Sequence, residues 1–335
     1  MFTYARVAEL PLEVESVALT ALELAVAAGW TRRTAVVRLS GRGEEGVGED
    51  VTYLQDVLQA RLETGPPGGL AGRHTLDSFS RTLERPDPFE RWAYESAALD
   101  LALRQAALSL AEVLGREAQP VTFVVSTGLG NPPSAARLRR LLETHPGTRL
   151  KLDPTSSWND DLIAELAALG AVDTLDFKGI LRGGFGEPPD PGLYRRIAEA
   201  FPEAWLEDPN LEDDDARRAL DPFRDRITWD APIHSVADIE ALPFEPRTLN
   251  FKPSRFGSVR ALLDAYDHCA ERGISVYGGG QFELGPGRGQ IQQLASLFHP
   301  DAPNDVAPVG YNEPEPGREL PRSPLPPAPA TPGFR

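Results

Sequence analysis

From residue 120 onward one pattern repeats along the chain. A run of four to six apolar positions ends on polar residues, and a stretch with apolar residues three and four apart follows. "PVTFVVS" leads to "SAARLRRLLETH", "TRLKLD" to "DDLIAELAALG", and "VDTLDFKG" to "DPGLYRRIAEAF". The same holds for "AWLEDP", "RITWDAP", "TLNFKPS" and "ISVYGGG", each with a helical stretch behind it. Short apolar runs alternating with helical periodicity predict parallel strands joined by crossover helices. Seven such units in succession point to a closed (β/α) barrel more than to an open doubly wound sheet.

The first third of the chain is patterned differently. Residues 3–40 read as strand, helix, strand, with the helix on "ALTALELAVAAG". A turn rich in Gly and acid, "GRGEEGVGED", follows. "VTYLQDVLQARLE" predicts a helix, 65–72 a loop, and about 90 to 114 one long helix stopped by Gly115. From 313 the chain is rich in Pro and reads as extended, poorly ordered at its very end. The organisation expected is an N-terminal α+β capping domain over 1–92, completed by part of the C-terminal segment, a (β/α)7β barrel over 93–312, and a Pro-rich segment over 313–335.

In such a barrel the chemistry sits at the C-terminal strand ends. Those ends carry Ser126 and Thr127, then Lys151 and Asp153, Asp176 and Lys178, Glu207 and Asp208, Asp230, and Lys252. The seventh runs into "GGGQFELG", with Gln281 and Glu283 as candidate substrate contacts. Residues two apart on a strand face the same side, so Lys151 with Asp153 and Asp176 with Lys178 can share the barrel mouth. Asp176, Glu207 and Asp230, from successive strands, would converge. Clustered carboxylates repel unless a hard divalent cation relieves them, and an all-oxygen set suits Mg²⁺. Lys252 ends an apolar strand before a Pro; beside a cation its pKa falls, which makes it a usable base. The other reading of each acid is a helix cap or a solvated surface group, and of Lys252 a salt bridge.

Composition narrows the partners. The chain has 335 residues, 41% apolar and 25% charged, with a formal charge of -16. Such a surface repels nucleic acid and anionic lipid. The single cysteine, Cys269, excludes a disulfide framework and reads as a small buried residue. His234 and His299 have no partner at ligand spacing. No leader pattern opens the sequence and no run nears 18 apolar residues, so the expectation is a cytoplasmic protein that takes a small-molecule carboxylate, with a homo-oligomer left open.

These residues together resemble the enolase superfamily, most of all its muconate-lactonizing, o-succinylbenzoate-synthase and dipeptide-epimerase branch. "RTAVVRLSGRGEEGVGED" looks like the capping-domain hairpin with its G-x-G-E turn, and "ESAALDLALRQAALSLAEVLG" like the helix leading into the barrel. "WLEDP" and "WDAP" look like the second and third metal-ligand strands, "FKPSRFGS" like the strand with the catalytic Lys, and "GGGQFELGPGRGQIQQLASL" like the seventh-strand segment. The resemblance covers nearly the whole chain. It implies a Mg²⁺ that holds a substrate carboxylate, a Lys that removes the proton α to it, and an enolate stabilised by the cation.

Strand counting sets the register. "PVTFVVS" is strand one, so "VDTLDFKG" is strand three and Asp176, 31 residues before Glu207, is the ligand in preference to Asp153. Two departures follow from the resemblance. The Lys-x-Lys expected on strand two reads Lys151-Leu152-Asp153, and the Asp-x-Asn of strand three reads Asp176-Phe177-Lys178. Lys178 is then placed to pair with Asp153, to act on substrate, or to supply positive charge in place of the metal. Lys151 would orient the carboxylate, and Asp153 or Lys178 would be the acid partner. With one Lys of the pair gone, dehydration or cycloisomerisation fits better than two-base racemisation. The alternative is a barrel that has lost catalysis and serves as a binding or scaffold protein.

Overall fold

The computed structural model describes residues 2–27, 30–83, 87–181, 186–313 and 315–335. A 3-10 turn (Thr3–Arg6) opens the chain. A short strand β1 (Pro11–Val14) follows, then three long ones: β2 (Ser16–Ala27), β3 (Trp30–Gly41) and β4 (Glu44–Asp50). Helix α1 (Gln55–Thr64), strand β5 (Gly72–Thr75) and helices α2 (Leu76–Thr82), α3 (Pro88–Gln105) and α4 (Leu110–Leu114) complete this part. β2, β3 and β4 form an antiparallel meander, and β1 pairs with β5.

Two expectations for this region are corrected. The segment read as a helix is strand β2; its last two residues, 28 and 29, lie outside the described residues. Leu19, Leu22 and Val26 have helical spacing, but Leu22, Leu24 and Val26 also alternate, and pairing along the length of β3 selects the extended form. The long helix is two. It breaks where Ala107 takes a φ of 55° and Ser109 caps α4 reciprocally with Glu112.

The G-x-G of β4 has a steric reason. A Cβ on Gly46 would lie 2.2 Å from the Ala97 carbonyl oxygen, and one on Gly48 2.0 Å from that of Ala93. The strand therefore lies directly against the backbone of α3, which only glycine permits.

The alternating units follow as read: β6 (Val124–Thr127), α5 (Ala136–Thr144), β7 (Arg149–Leu152), α6 (Asp160–Ala168), β8 (Val172–Asp176) and α7 (Pro191–Ala200). Next come β9 (Trp205–Glu207), α8 (Asp214–Leu220), β10 (Ile227–Thr228), α9 (Val236–Glu240), β11 (Thr248–Phe251), α10 (Pro253–Phe256), α11 (Val259–Arg272), β12 (Ser275–Gly278) and α12 (Pro286–Phe298). Asp, Asn or Ser side chains cap α6, α7, α8, α9 and α11. Cys269 is buried in α11, where burial pushes its thiol up to about 12.

β6 to β10 form one five-stranded parallel sheet in sequence order, and β11 with β12 a second. No continuous ladder joins the two among the described residues. Single backbone bonds bridge the gaps: Asn250 N to the Trp229 oxygen (3.0 Å), Asp305 N to that of Gly278 (2.7 Å), and Val124 N to that of Asn304 (2.8 Å). Residues 304 and 305 thus stand between β12 and β6. Asn304 fixes them by giving hydrogen bonds to the carbonyls of Thr122 and His299 and accepting one from Gly278 N. His299 places Nδ1 2.7 Å from the Asn304 amide oxygen and Nε2 2.9 Å from the Tyr266 hydroxyl.

The C-terminal segment is also corrected: its end is packed, not loose. Phe334 is fully buried edge-on to Trp92, and its N–H donates to Asp100, which also accepts from Val47 N and Arg104. Composition showed Pro-rich extension; it did not show that one aromatic residue anchors the strap. Phe334→Ala should cost about 3 kcal/mol in chemical denaturation; a change below about 0.5 kcal/mol would mean the end does not pack as described.

Burial lowers the His299 imidazole to about 4. The unfolded chain takes up a proton on this ring where the folded chain does not. Its stabilising contribution is therefore complete above pH 6.5 and declines as pH falls toward 4. Urea unfolding should show up to about 1.4 kcal/mol per pH unit of this loss, absent in His299→Gln. Equal slopes for the two proteins would contradict it.

Candidate active site

Parallel register brings the acidic strand ends together. Asp176 on β8 lies opposite Glu207 on β9, and Glu207 opposite Thr228 on β10, two residues before Asp230. Asp176, Glu207 and Asp230 are all buried, and each offers a carboxylate oxygen within 4.8 Å of the others. Three buried anions this close require positive charge. Lys151, 2% exposed, puts Nζ 2.5 Å from Glu207 Oε1, 3.5 Å from Asp176 and 4.0 Å from Asp305. Lys252 puts Nζ 2.8 Å from Asp230 Oδ2, with Arg255 at 3.4 Å from the same oxygen.

Protonation follows from this packing. Burial, only partly offset by Lys151, raises Glu207 to about 7. Burial works the same way on Asp230, but Arg255, Lys252 and Lys151 outweigh it and hold the carboxyl well below the usual range. For Lys151 and Lys252 burial disfavours the ammonium, yet the surrounding carboxylates, Glu207 and Asp230 first among them, raise both above the ordinary Lys value. The expectation of a lowered Lys252 pKa is not met while Asp230 is its direct counter-ion.

The predicted residues divide into three groups. Lys151, Asp176, Glu207, Asp230 and Lys252 come together. Lys178 does not join the carboxylates: it pairs with Asp153 at 2.6 Å on the cavity wall, in a left-handed conformation at φ 50°. Gln281 lines the cavity, and with its amide oxygen turned to Arg255 it accepts from Nε at 2.7 Å and Nη2 at 3.0 Å. Glu283 turns back into its own loop, where Oε1 accepts the Gln281 N–H at 2.8 Å. The cavity is about 520 Å³.

Several residues to which the sequence assigned no role also reach the site. Asp208 follows Glu207, takes a φ of 50°, and accepts the N–H groups of Asp230 (2.8 Å) and Ala231 (2.9 Å), which fixes the Asp230 backbone. Its signal was present in "WLEDP", where only the first acid was used. Asn250 and Tyr277 both donate to Glu207. Arg255 stands three residues past Lys252. Asp305 carries no strand–helix pattern and gave no signal.

The cap also grips the seventh-strand loop. Glu49, on β4, is 1% exposed and accepts from Thr34, Leu284 N, Gly285 N and Gly287 N.

Could the residues hold a divalent cation? The donors are all carboxylate oxygens, they converge, and Asp230 Oδ1 is buried with no hydrogen-bond partner among the described residues. That set fits a hard cation.

Comparison with known proteins places the chain. The family described as "Domain of unknown function (DUF8230) C-terminal domain" matches residues 117–313, and its N-terminal companion matches 5–113. The chain belongs to the DUF8230 family. Its curated relatives include an o-succinylbenzoate synthase of Geobacillus stearothermophilus, 26% identical over 67% of this chain and 60% of that enzyme. An N-succinylamino acid racemase of Thermus thermophilus is 26% identical over 90% of this chain and 84% of that enzyme. The chain thus spans about three fifths of the length of the first of these. Among solved structures, an enolase superfamily member from Listeria innocua superposes with a TM-score of 0.71 at 17% identity, covering 96% of this chain and 94% of that one. The muconate lactonizing enzyme from Pseudomonas putida gives 0.69 at 19%, covering 96% of each. The DUF8230 chain therefore has the enolase superfamily fold, an N-terminal cap with a TIM-like barrel, in a divergent form.

A cation held by these carboxylates would bind only the folded chain. At a concentration one hundred times its Kd, Mg²⁺ should add about 2.7 kcal/mol of stability. Asp230→Asn should abolish the rise in melting temperature; a melting temperature indifferent to Mg²⁺ in the unsubstituted protein would dismiss the site.

Proposed function

We propose that this protein is an enolase-superfamily lyase or isomerase that removes the proton α to a substrate carboxylate. The observation that carries the reading is the meeting of Asp176, Glu207 and Asp230 beside the Lys252 ammonium in one cavity. The relatives' chemistry, o-succinylbenzoate synthesis and N-succinylamino acid racemisation, supports a carboxylate substrate. The architecture proposed is a closed (β/α)7β barrel, its ring completed by residues 304 and 305, beneath the cap over 1–92.

In this reading Asp176, Glu207 and Asp230 would hold Mg²⁺. When bound, the cation supplies positive charge for the substrate carboxylate and for the negative charge that develops as the α-proton leaves. Lys252 takes that proton. Its ammonium is paired with Asp230 at 2.8 Å, and a cation held by Asp230 would weaken that pairing, so that burial would favour the neutral amine a base requires. Lys151 bridges Glu207 and Asp176 and presents its charge toward the carboxylate. Asp208 keeps Asp230 in place by holding its backbone N–H. Gln281, oriented by Arg255, contacts substrate, and Glu283 supports that loop. Asp153 with Lys178 forms the acid partner on the wall. Dehydration or cycloisomerisation is the reaction class proposed.

A second reading has its own observation. Lys151 already neutralises Glu207 and Asp176, as a barrel that binds without catalysis would need. Metal content of the purified protein separates the two.

The chemical test is exchange. In D₂O with Mg²⁺, a panel of N-succinylamino acids and related carboxylates should include a compound whose α-proton is lost by NMR. Lys252→Ala should slow that exchange at least about 100-fold. Exchange at the unsubstituted rate in the variant would remove Lys252 from the base role.

A further inference from the structure

Arg32 spends a buried guanidinium on backbone carbonyls. It lies on β3, is 1% exposed, and donates to four of them: Val51 (2.6 Å), Thr52 (3.2 Å), Gln281 (2.9 Å) and Phe282 (3.2 Å). Burying a charge is costly, and neutral carbonyls compensate it less well than a carboxylate. The first two carbonyls immediately precede Tyr53 in the cap. The other two belong to the loop after β12 and include that of Phe282 itself. One side chain thus fixes the backbone beneath two aromatic residues from different parts of the fold.

Both aromatic residues line the cavity that holds Lys252 and Asp230. The Arg32 guanidinium lies 4.2 Å from the Tyr53 ring centroid, so the cation covers one face of a ring that is still 40% exposed. The cation–π contact is favourable and fixes the ring, which remains part of the cavity wall. Phe282 has a φ of 60°, a conformation that strains any residue but glycine, yet a large ring stands there. Phe89, at the first turn of α3 and fixed by the Asp87 cap, completes the wall. Three aromatic side chains from three separate segments line one cavity, and one cation holds both the Tyr53 ring and the Phe282 backbone.

We propose that Tyr53, Phe89 and Phe282 form an aryl-binding subsite on the cap side of the cavity, positioned by Arg32, and that the substrate is a carboxylate whose other end carries a planar unsaturated ring. This rests on the proposed function, since the same cavity must hold the carboxylate. Tyr53 and Phe282 make the ring contacts; Arg32 acts only through them.

The probes are N-succinyl-L-phenylalanine, N-succinyl-L-cyclohexylalanine and N-succinyl-L-alanine, titrated calorimetrically into the Mg²⁺-loaded protein. The phenyl probe should bind about tenfold or more tighter than the alanyl one, with the cyclohexyl probe between. Phe282→Gly suits the backbone at that position and removes the ring, so it keeps the fold. It and Tyr53→Ala should each cut phenyl affinity severalfold and leave alanyl affinity unchanged. Arg32→Lys should narrow the phenyl preference, a selectivity readout that a purely structural role would not move. Equal affinities for the three probes, losses falling equally on all, or binding of none of them overturns the subsite. Failure of the proposed function looks different: probe binding would then survive Asp230→Asn and removal of Mg²⁺, whatever the ring preference.

Discussion

Like charge held close together in a low-dielectric setting is the constraint around which this molecule is arranged. Asp176, Glu207 and Asp230 are buried within 4.8 Å of one another, with Asp208 beside them. Isolated, such a group would protonate or force the strands apart. Here Lys151 answers Glu207 and Asp176, and Lys252 and Arg255 answer Asp230. Lys151 and Lys252 come from different strands or strand ends than the acids they meet, and Arg255 comes from α10. The register of the parallel sheet is therefore fixed electrostatically as well as by its apolar sides, because a slip would leave buried charges unpaired at a cost of several kcal/mol.

The same logic extends to the joint between the cap and the barrel. Arg32 and Glu49, on adjacent cap strands, both reach the loop after β12. One gives hydrogen bonds to its carbonyls; the other accepts from its N–H groups at the start of α12. A carboxylate at a helix N-terminus meets the positive end of the helix dipole, so Glu49 is well placed despite its burial. Burial still raises its pKa, and Glu283 adds to that, while Thr34 and the loop N–H groups oppose it. The cap thus sets the conformation of the segment that carries Gln281 and Phe282, so the cavity is shaped by both parts of the fold.

Much of this was legible because period and position carry it. The strand–helix alternation gave the seven units, and counting strands singled out Asp176, which the register then set opposite Glu207. β2 misled because alternation and helical spacing coincide on Leu22 and Val26; only the partner strand decides between them. Asp305 and Phe334 were invisible for another reason. Both act through contacts far away in sequence, to Lys151 and to Asp100 and Trp92, from segments with no periodicity of their own. Arg32 was hidden because its partners are backbone carbonyls, which leave no mark on composition. The G-x-G of β4 was readable as a motif, but its cause, contact with the α3 backbone, needed coordinates.

The departures on β7 and β8 gain meaning from geometry. The resemblance leads one to expect Lys at 153 and Asn at 178; the chain has Asp and Lys. Taken singly, each change looks like damage: an anion added where a cation stood, and an ammonium placed two residues from a buried acid. Taken together they are nearly an exchange, because Lys178 Nζ lies 2.6 Å from Asp153 across neighbouring strand ends. The positive charge has moved by one strand and stays on the same wall. Both side chains are about one third exposed, so the pair contributes little to stability as a surface bridge. Lys178 also holds a left-handed backbone, at a cost on the order of 1 kcal/mol. A pair that adds little and sits on a strained residue is poorly explained by folding alone. The absence of Lys at 153 therefore does not by itself strip this wall of an ammonium, because Lys178 supplies one.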